Sequence, residues 1–239
     1  MLPAQPNQSL TDGMLCLQTL ASSPVPLGSR ELARRLGMEP TRVNRLLKTL
    51  ESLGLLHQNE QRKYQSGPGM HVLAAQSLYS SGLIQCALPV LVGLRQPGFT
   101  VAMGVRWRDQ VCYLYHADPG MSAEQGIGRT GLYPVTRSSI GMALLATRSD
   151  DEIRADYAGN AILDYPAGID SLLAAIGRIR RQGFARVIES ETRSTVAVTI
   201  GTPAEAAIAL AGPVTDSQLK RLVKQLQAAA QAIEEGTRH

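Results

Sequence analysis

Apolar residues recur at helical spacing near the start of the chain. The spacing predicts a first helix over residues 9–22, with Ser9 or Thr11 as its N-cap. Its apolar face is formed by Leu10, Met14, Leu17 and Leu20. A breaker-rich run, SSPVPLG, follows and ends this element.

Two further helices are predicted on either side of Gly37. The segment RELARRL, capped by Ser29, forms the shorter one, and Gly37 ends it. The next helix begins with Pro40 in its first turn, where the missing N–H of proline costs nothing. Its apolar stripe consists of Val43, Leu46, Leu47, Leu50 and Leu53. This stripe must pack on the two preceding helices.

The pattern changes after Gly54. The runs LLHQ and KYQS alternate around the turn-like NEQR, which predicts a small hairpin. Residues 68–94 then form an apolar helical connector, interrupted near residues 80–82 and at Pro89. A connector of this kind buries one face against the second domain, another subunit or both.

The second half mixes helices with hairpins. Strands are predicted at 100–107, 110–116, 184–190, 194–200 and 206–212, and helices at 138–149, 171–183 and 217–235. Because most successive strands are joined by short turns, the fold class is α+β with an antiparallel sheet. The predicted domains are residues 1–67, a helical linker over 68–94, and residues 95–239.

Composition excludes several classes of protein. No apolar run approaches the length of about 18 residues that spans a bilayer, and the N-terminal stretch lacks the features of a secretory signal. We therefore expect a cytoplasmic protein with no membrane partner. Three widely spaced cysteines favour neither a disulfide framework nor a zinc site, and we expect no cofactor.

Positive charge concentrates in the first third. Up to residue 70 there are eight Lys and Arg against five Asp and Glu, whereas the remainder has 16 against 15. This distribution is expected if the N-terminal part meets a polyanion.

The predicted third helix opposes its apolar stripe with a polar face that lacks carboxylates. This face consists of Thr41, Arg45, Lys48 and Ser52, flanked by Asn44 and Arg42. Exposed helices usually mix charges, because Glu and Lys one turn apart stabilise them. Arg and Asn are the residues that read guanine and adenine edges, whereas Lys and Thr suit phosphates. The pattern indicates a winged helix-turn-helix; the alternative is an ordinary basic helix in a small bundle.

The hairpin that follows adds cations near its tip, where a wing would meet the DNA backbone or the minor groove. The predicted DNA-contacting residues are Ser29, Arg30, Thr41, Arg42, Asn44, Arg45, Lys48, Arg62, Lys63 and Tyr64.

The order of these parts resembles the IclR family of bacterial transcription regulators. The resemblance rests on SRELARRLGMEPTRVNRLLKTLESLGLL and, in the second half, on GRTGLYPVTRSSIGMALLA, RRQGFARVIES and AAIALAGPVTDSQL. It implies a C-terminal effector-binding domain related to GAF folds. It also implies a homodimer or homotetramer that binds a palindromic double-stranded DNA operator and responds to a small organic acid or aromatic metabolite.

Two departures from the family bear on the implied effector site. The stretch after FARVIESE is shortened, and Ala209 and Ala211 stand where family members often place hydroxyls. A pocket here is therefore expected to be less polar than usual. The candidate effector-binding residues are Ser138, Ser139, Ile140, Gly141, Thr195 and Thr199. Small residues packed for close helix-to-sheet contact are the alternative reading of the same segment.

Other functions remain as alternatives. A hydrolase triad of His116, Asp118 and Ser138 or Ser139 lacks the GxSxG elbow. An aromatic pocket and ordinary hairpin packing explain one set of side chains equally well. That set is Met103, Trp107, Tyr113, Tyr115 and Tyr133. We expect a regulator and not an enzyme; the competing functions are a C-terminal domain that only oligomerises and an enzyme with an incidental basic helix.

Overall fold

The computed structural model describes residues 5–128, 131–162 and 164–237. These divide into two compact units, residues 5–81 and 82–237. The predicted motif at 128–146 includes Arg129 and Thr130, which lie outside the described residues, as do residues 1–4 of the N-terminal stretch.

The N-terminal unit contains the three predicted helices and the hairpin. Its elements are α1 (Gln8–Ala21), α2 (Ser29–Leu36), α3 (Pro40–Ser52), β1 (Leu56–Gln58), β2 (Tyr64–Ser66) and α4 (Pro68–Ser81). The true N-caps of α1 and α2 precede the predicted ones. Asn7, and not Ser9 or Thr11, caps α1 by accepting from the Leu10 N–H, and Gly28 precedes α2, so that Ser29 is its first helical residue.

The buried face of α1 differs from the predicted one. Leu17 and Leu20 are buried as expected, but Leu10 and Met14 are 66% and 40% exposed. The helix is rotated so that Asp12 and Cys16 face inward with Leu17. Cys16 and Leu17 pack with the buried Val43 and Leu47 of α3.

The base of the hairpin is joined closely to the start of α4. The Gly67 N–H donates to the Leu55 carbonyl and the Gly69 N–H to the Gly54 carbonyl, each at 2.9 Å. A Cβ at Gly67 would lie 2.6 Å from the Gly54 carbonyl oxygen, and one at Gly69 would lie 2.8 Å from the same atom. Only glycine permits this approach of the two backbones.

The predicted connector consists of two helices, one in each unit. α4 ends at Ser81 and α5 (Leu83–Gly93) begins after Gly82, whose φ of 61° is left-handed. The interruption near 80–82 is therefore confirmed. The interruption at Pro89 was wrong, because α5 continues through this residue.

The C-terminal unit is built on one antiparallel sheet. Its strands are β3 (Thr100–Trp107), β4 (Gln110–Ala117), β5 (Leu132–Pro134), β6 (Ala185–Ile188), β7 (Ser194–Ile200) and β8 (Ala206–Gly212), in the order β5-β4-β3-β8-β7-β6. Its later helices are α6 (Ser139–Leu145), α7 (Asp150–Asp156), α8 (Ile169–Gln182) and α9 (Asp216–Thr237). Neither β5 nor α7 is among the elements predicted from the sequence.

Helices cover both faces of this sheet. Along β8, Ile208 and Leu210 point to a core shared with α5 and α9, whereas Ala207 and Ala209 point to a core shared with α6 and α8. This alternation follows from the two-residue repeat of a strand. The predicted α+β class with an antiparallel sheet is confirmed. Within the described residues, no helix has the length and apolar character needed to cross a membrane.

Candidate functional site

The turn between α2 and α3 fixes the start of the predicted reading helix. Gly37 adopts a left-handed φ of 64° and ends α2. Glu39 then caps α3, since its carboxylate accepts hydrogen bonds from the N–H groups of Thr41 and Arg42 at 2.9 and 2.7 Å. These two bonds are the main cause of a pKa of Glu39 below its ordinary value.

The outer face of α3 is exposed as the pattern predicted. Thr41, Arg45 and Lys48 are exposed, whereas Val43 and Leu47 on the opposite side are fully buried. Neither Arg45 nor Lys48 forms an ion pair with any residue that the structure describes.

A polar groove of about 700 Å³ runs between α3, the start of α2 and the hairpin. We call it the wing groove. It is lined by Gly28, Ser29, Arg30, Asn44, Lys48, Gln58, Arg62 and Tyr64. Three cations and two amides therefore converge on one concave surface, and no carboxylate is among its lining residues. Gln58 was not predicted, because β1 has only three residues and its alternation of apolar and polar side chains carries too little signal.

The hairpin tip is held by Asn59. Its side-chain oxygen accepts from the N–H groups of Gln61 and Lys63 at 3.1 and 3.0 Å, and its carbonyl accepts from the Arg62 N–H at 2.9 Å. Arg62 has a φ of 57°, a left-handed conformation that favours glycine. A long cationic side chain thus stands at a position where the backbone conformation favours glycine.

Two predicted DNA contacts need correction. The Arg42 guanidinium lies 2.6 Å from the Asp12 carboxylate, which is almost fully buried in α1, so this arginine neutralises an internal charge. Tyr64 is 1% exposed and its ring packs in the core of the unit. Arg42 faces α1, and only the edge of Tyr64 borders the wing groove.

The C-terminal unit holds a pocket of about 300 Å³ on the α6 side of its sheet. The predicted residues Ser138, Ser139, Ile140 and Thr195 line it. Gly141 and Thr199 do not, which corrects that part of the prediction. Gly141 packs so tightly that a Cβ there would lie 2.4 Å from the Val135 carbonyl oxygen. Thr199 borders a separate small groove at the other end of β7.

The pocket is more polar than the two alanines predicted. Ala209 and Ala211 do line it, but so do Thr100, Tyr113, His116, Arg137, Glu189 and Arg193. The pattern analysis missed Arg193 because it belongs to the shortened segment before β7. Glu189 and Arg137 carry no periodic signal either.

Hydrogen bonds in the pocket connect four elements. Arg193 donates through Nε to Glu189 at 2.8 Å and through Nη2 to the Thr100 hydroxyl at 3.0 Å. The Thr100 hydroxyl donates in turn to Asp118 at 2.9 Å. The hydroxyls of Tyr113 and Ser138 lie 3.0 Å apart, and burial is the main cause of a raised Tyr113 pKa.

A hydrolase triad has no support in this arrangement. The His116 Nδ1 is buried and forms no hydrogen bond with a described residue. The Ser138 hydroxyl contacts Tyr113 and accepts from the Gly141 N–H at 3.2 Å. A serine nucleophile needs a base that is hydrogen-bonded on both ring nitrogens.

The aromatic set separates into two groups. Tyr113 and Tyr133 line the pocket, with ring centroids 6.4 Å apart. Met103 and Tyr115 are fully buried on the other face of the sheet, and Trp107 lies exposed at the β3–β4 turn. The aromatic-pocket alternative therefore fits Tyr113 and Tyr133, and ordinary packing fits Met103 and Tyr115.

Comparison with known proteins adds two family matches. The IclR helix-turn-helix domain matches residues 9–60, and the domain described as bacterial transcriptional regulator IclR C-terminal matches residues 75–235. The HTH-type transcriptional regulator KdgR of Escherichia coli is 27% identical over 176 residues, which are 69% of this chain. The match spans 65% of the length of KdgR.

Solved structures show the same fold. An IclR transcriptional regulator from Silicibacter is 23% identical with a TM-score of 0.80, and 96% of each chain is covered. An IclR homologue from Microbacterium hydrocarbonoxydans, solved as a complex with 4-hydroxybenzoate, is 19% identical with a TM-score of 0.69 and covers 97% of this chain and 99% of that one. With both domain models matched in order along most of its length, the chain belongs to the IclR family of bacterial transcriptional regulators.

Proposed function

We propose that this protein is a transcription regulator, and not an enzyme, that binds double-stranded DNA through α3 and the wing groove. The observation that carries the proposal is the set of unpaired cations converging on this surface. Cations without acid partners repel one another on a folded surface, and a polyanion that neutralises them removes this cost. A regulator of this kind works in the cytoplasm, where the chromosome lies.

The contacts divide by position. Thr41, Asn44 and Arg45 lie on the exposed ridge of α3 and enter the major groove, where Arg reads guanine and Asn reads adenine. Arg30, Lys48, Arg62 and Lys63 neutralise phosphates, and the Ser29 hydroxyl donates a hydrogen bond to a phosphate.

We propose a homodimer as the unit that binds a palindromic operator. α4 has no buried residue, and the apolar side chains of Val72, Leu73 and Tyr79 are largely exposed along it. A 14-residue helix with no buried residue is marginal in water by itself, and such apolar surface indicates association. A two-fold pair of chains matches a two-fold DNA site.

We propose that the pocket of the C-terminal unit holds a small organic acid or aromatic metabolite that changes operator affinity. Support comes from the polar side chains that line the pocket beside the rings of Tyr113 and Tyr133. Further support comes from the 4-hydroxybenzoate complex of the Microbacterium relative. The competing function is oligomerisation alone. A panel of such compounds in thermal-shift measurements decides between them, since oligomerisation alone predicts no response.

The test of DNA binding is a salt titration. The purified full chain is titrated onto labelled DNA from upstream of its own gene, and onto a shuffled sequence of equal composition, while anisotropy is measured from about 50 to 200 mM salt. Each phosphate contact contributes about −0.9 to the slope of log affinity against log salt. Equal binding to both sequences, or a slope near zero, contradicts the proposal.

Sedimentation of the full chain and of Val72→Glu tests the dimer, which the variant is expected to weaken.

A further inference from the structure

The pocket of the C-terminal unit contains two arginines, Arg137 and Arg193, whose carboxylate partners differ in their exposure to water. Arg193 uses Nε for Glu189 and Nη2 for Thr100, while its Nη1 makes no hydrogen bond with a described residue. Glu189 lies at the exposed mouth of the pocket, where water weakens its hold on the guanidinium. Arg193 is therefore the cation that an incoming anion can recruit.

The other arginine of the pocket is already committed. Arg137 donates through Nε to Asp164 at 2.7 Å, and the same carboxylate accepts from the Thr136 hydroxyl at 2.9 Å. This arrangement is expected to hold Asp164 in place as a fixed partner. The Asp164 side chain is 25% exposed and that of Glu189 is 41% exposed, so Arg193 is the arginine whose ion pair is weakened more by water.

His116 adds a second polar side chain to the wall of this pocket. His116 lines the pocket, its Nδ1 is buried without a partner among the described residues, and its ring stands edge-on to Tyr113 at a centroid distance of 5.4 Å. A buried polar atom without a partner costs free energy that a ligand hydroxyl or carbonyl would recover. The pocket therefore suits a small carboxylate with a second polar group.

Thr100 connects Arg193 to the end of α5. Its hydroxyl is almost fully buried, accepts from Arg193 and donates to Asp118, so both of its functions are in use. Asp118 opens a turn in which its carbonyl accepts from the Met121 N–H at 3.1 Å. The Met121 carbonyl accepts from the guanidinium of Arg95, which follows the C-cap of α5.

We propose that Arg193 binds the carboxylate of the ligand, and that its consequent release from Thr100 is the first step by which the pocket acts on the end of α5. This proposal rests on the proposed ligand-binding function of the C-terminal unit. α5 follows directly on Gly82 and α4 in the chain, so a change at α5 is passed to the segment that leads to the reading helix. The ligand class is a small monocarboxylate with a second hydrogen-bonding group.

The probes are 4-hydroxybenzoate, benzoate and lactate, each paired with its neutral amide. Binding to the full chain is measured by thermal shift and calorimetry, and DNA affinity is measured separately by anisotropy with and without each probe. At least one of the three acids is expected to bind, and its amide to bind at least about tenfold more weakly, because hydrogen bonds to charged groups are the stronger ones. If no acid binds while the chain still binds DNA, this proposal is overturned and the DNA-binding function stands.

Variants test separately the two parts of the proposal. The first part, the anchor, is the binding of the ligand carboxylate by Arg193; the second, the relay, is the effect of Thr100 on the end of α5. Arg193→Gln is expected to lose about tenfold or more in acid affinity, and Glu189→Gln to gain severalfold because a competing carboxylate is removed. The matched control is Arg154→Gln, since Arg154 pairs with Asp170 outside the pocket at 2.8 Å. Unchanged acid binding by Arg193→Gln overturns the anchor.

Thr100→Val removes the hydroxyl at nearly constant volume. This variant is expected to bind the acid within about threefold of the parent chain, yet its DNA affinity no longer responds to the acid. Thr100→Ser restores the hydroxyl and is expected to restore the response, which excludes a packing defect. A normal DNA response in a folded Thr100→Val chain overturns the relay.

Discussion

Paired and unpaired arginines occur in both units, but the N-terminal unit gathers unpaired cations on one surface. In the C-terminal unit, arginines on strands, helices and loops form ion pairs with acids nearby or distant in sequence. These are Arg106, Arg137, Arg148, Arg154, Arg180, Arg186 and Arg193. In the N-terminal unit, Arg34, Arg35 and Arg42 are also paired, but Arg30, Arg45, Lys48, Arg62 and Lys63 form no ion pair with a described residue. Paired arginines fix the position of loops, whereas unpaired cations keep their charge for a partner.

The same contrast occurs within one helix. Arg42 and Arg45 are separated by less than one turn of α3, yet Arg42 pairs with buried Asp12 and Arg45 has no acid partner among the described residues. Sequence spacing alone places both on the polar side. What separates them is the position of α1, which brings Asp12 to one edge of the helix.

The largest expected effect comes from removing the unpaired cations of α3. Arg45→Ala combined with Lys48→Ala is expected to lower operator affinity on the order of 100-fold, since one lost base contact costs about 1 to 3 kcal/mol. The salt slope should also fall by about 1 for the lost phosphate contact. Anisotropy titrations at several salt concentrations measure both quantities.

The matched control removes the same two residue types from the other unit. Arg221 and Lys224 are exposed on α9. The double alanine variant at these positions is expected to bind DNA within about twofold of the parent chain, since surface changes away from the interface have small effects. An equal loss in both double variants would mean that net charge, and not the α3 face, drives binding.

The next effect concerns stability. Arg42→Ala leaves the buried Asp12 carboxylate without its cation, and is expected to cost about 1 to 3 kcal/mol in the free energy of unfolding. Arg45→Ala should change that free energy by less than about 0.5 kcal/mol. Urea unfolding of both variants gives the comparison. An Arg42→Ala chain that is fully stable but loses operator selectivity would return Arg42 to the base-reading residues.

A smaller effect tests the hairpin tip. Arg62→Gly removes the cost of a left-handed non-glycine residue, and is expected to raise the free energy of unfolding by about 1 kcal/mol while weakening DNA binding. Arg108 provides the control, because it has the same φ of 57° in the β3–β4 turn. Arg108→Gly should give a similar gain in stability with no change in DNA affinity. Equal DNA affinity in both variants would remove Arg62 from the interface.

The smallest effect is the pH dependence of the α3 cap. The pKa of Glu39 is lowered in the fold from its ordinary value of 4.5, chiefly by the hydrogen bonds from Thr41 and Arg42. Its contribution to stability is therefore present above pH 4.5 and is lost as pH falls through the lowered value. Glu39→Gln should have a lower melting temperature than the parent chain at pH 7, and the difference should close in acid. A difference that stays constant from pH 7 to about pH 3 would show that the charge of the cap is not involved.

The sequence predicted elements far better than contacts. Apolar periodicity located α3 and most of the strands because burial on one face of a regular element leaves a repeating signal. The rotation of α1 was missed because Gly13 and Asp12 occupy positions where the packing allows a glycine and a buried acid. Leu10 and Met14 fit the helical period equally well, so the pattern could not tell which face is inside.

Site residues were predictable only where one element supplies them. The ridge of α3 could be derived from a single helix, although its assignment as a DNA contact stays a proposal. The pocket could not, because Thr100, His116 and Arg193 come from separate strands and a loop that only the sheet order brings together. Thr199 was grouped with Thr195 because a strand repeat gives the face of a residue but not its position along the strand, and it lies outside the pocket.

The glycines at the base of the hairpin have a consequence for how the protein measures DNA. Because the backbones at Gly67 and Gly69 touch Gly54 without an intervening side chain, the direction of α4 is set by the body that carries α3. α4 and α3 are therefore expected to move together, so that a tilt of α4 turns the reading helix by the same angle. In the proposed dimer, the two α4 helices would fix the distance between the two reading helices. Operators whose half-sites lie one base pair closer together or farther apart would therefore bind more weakly.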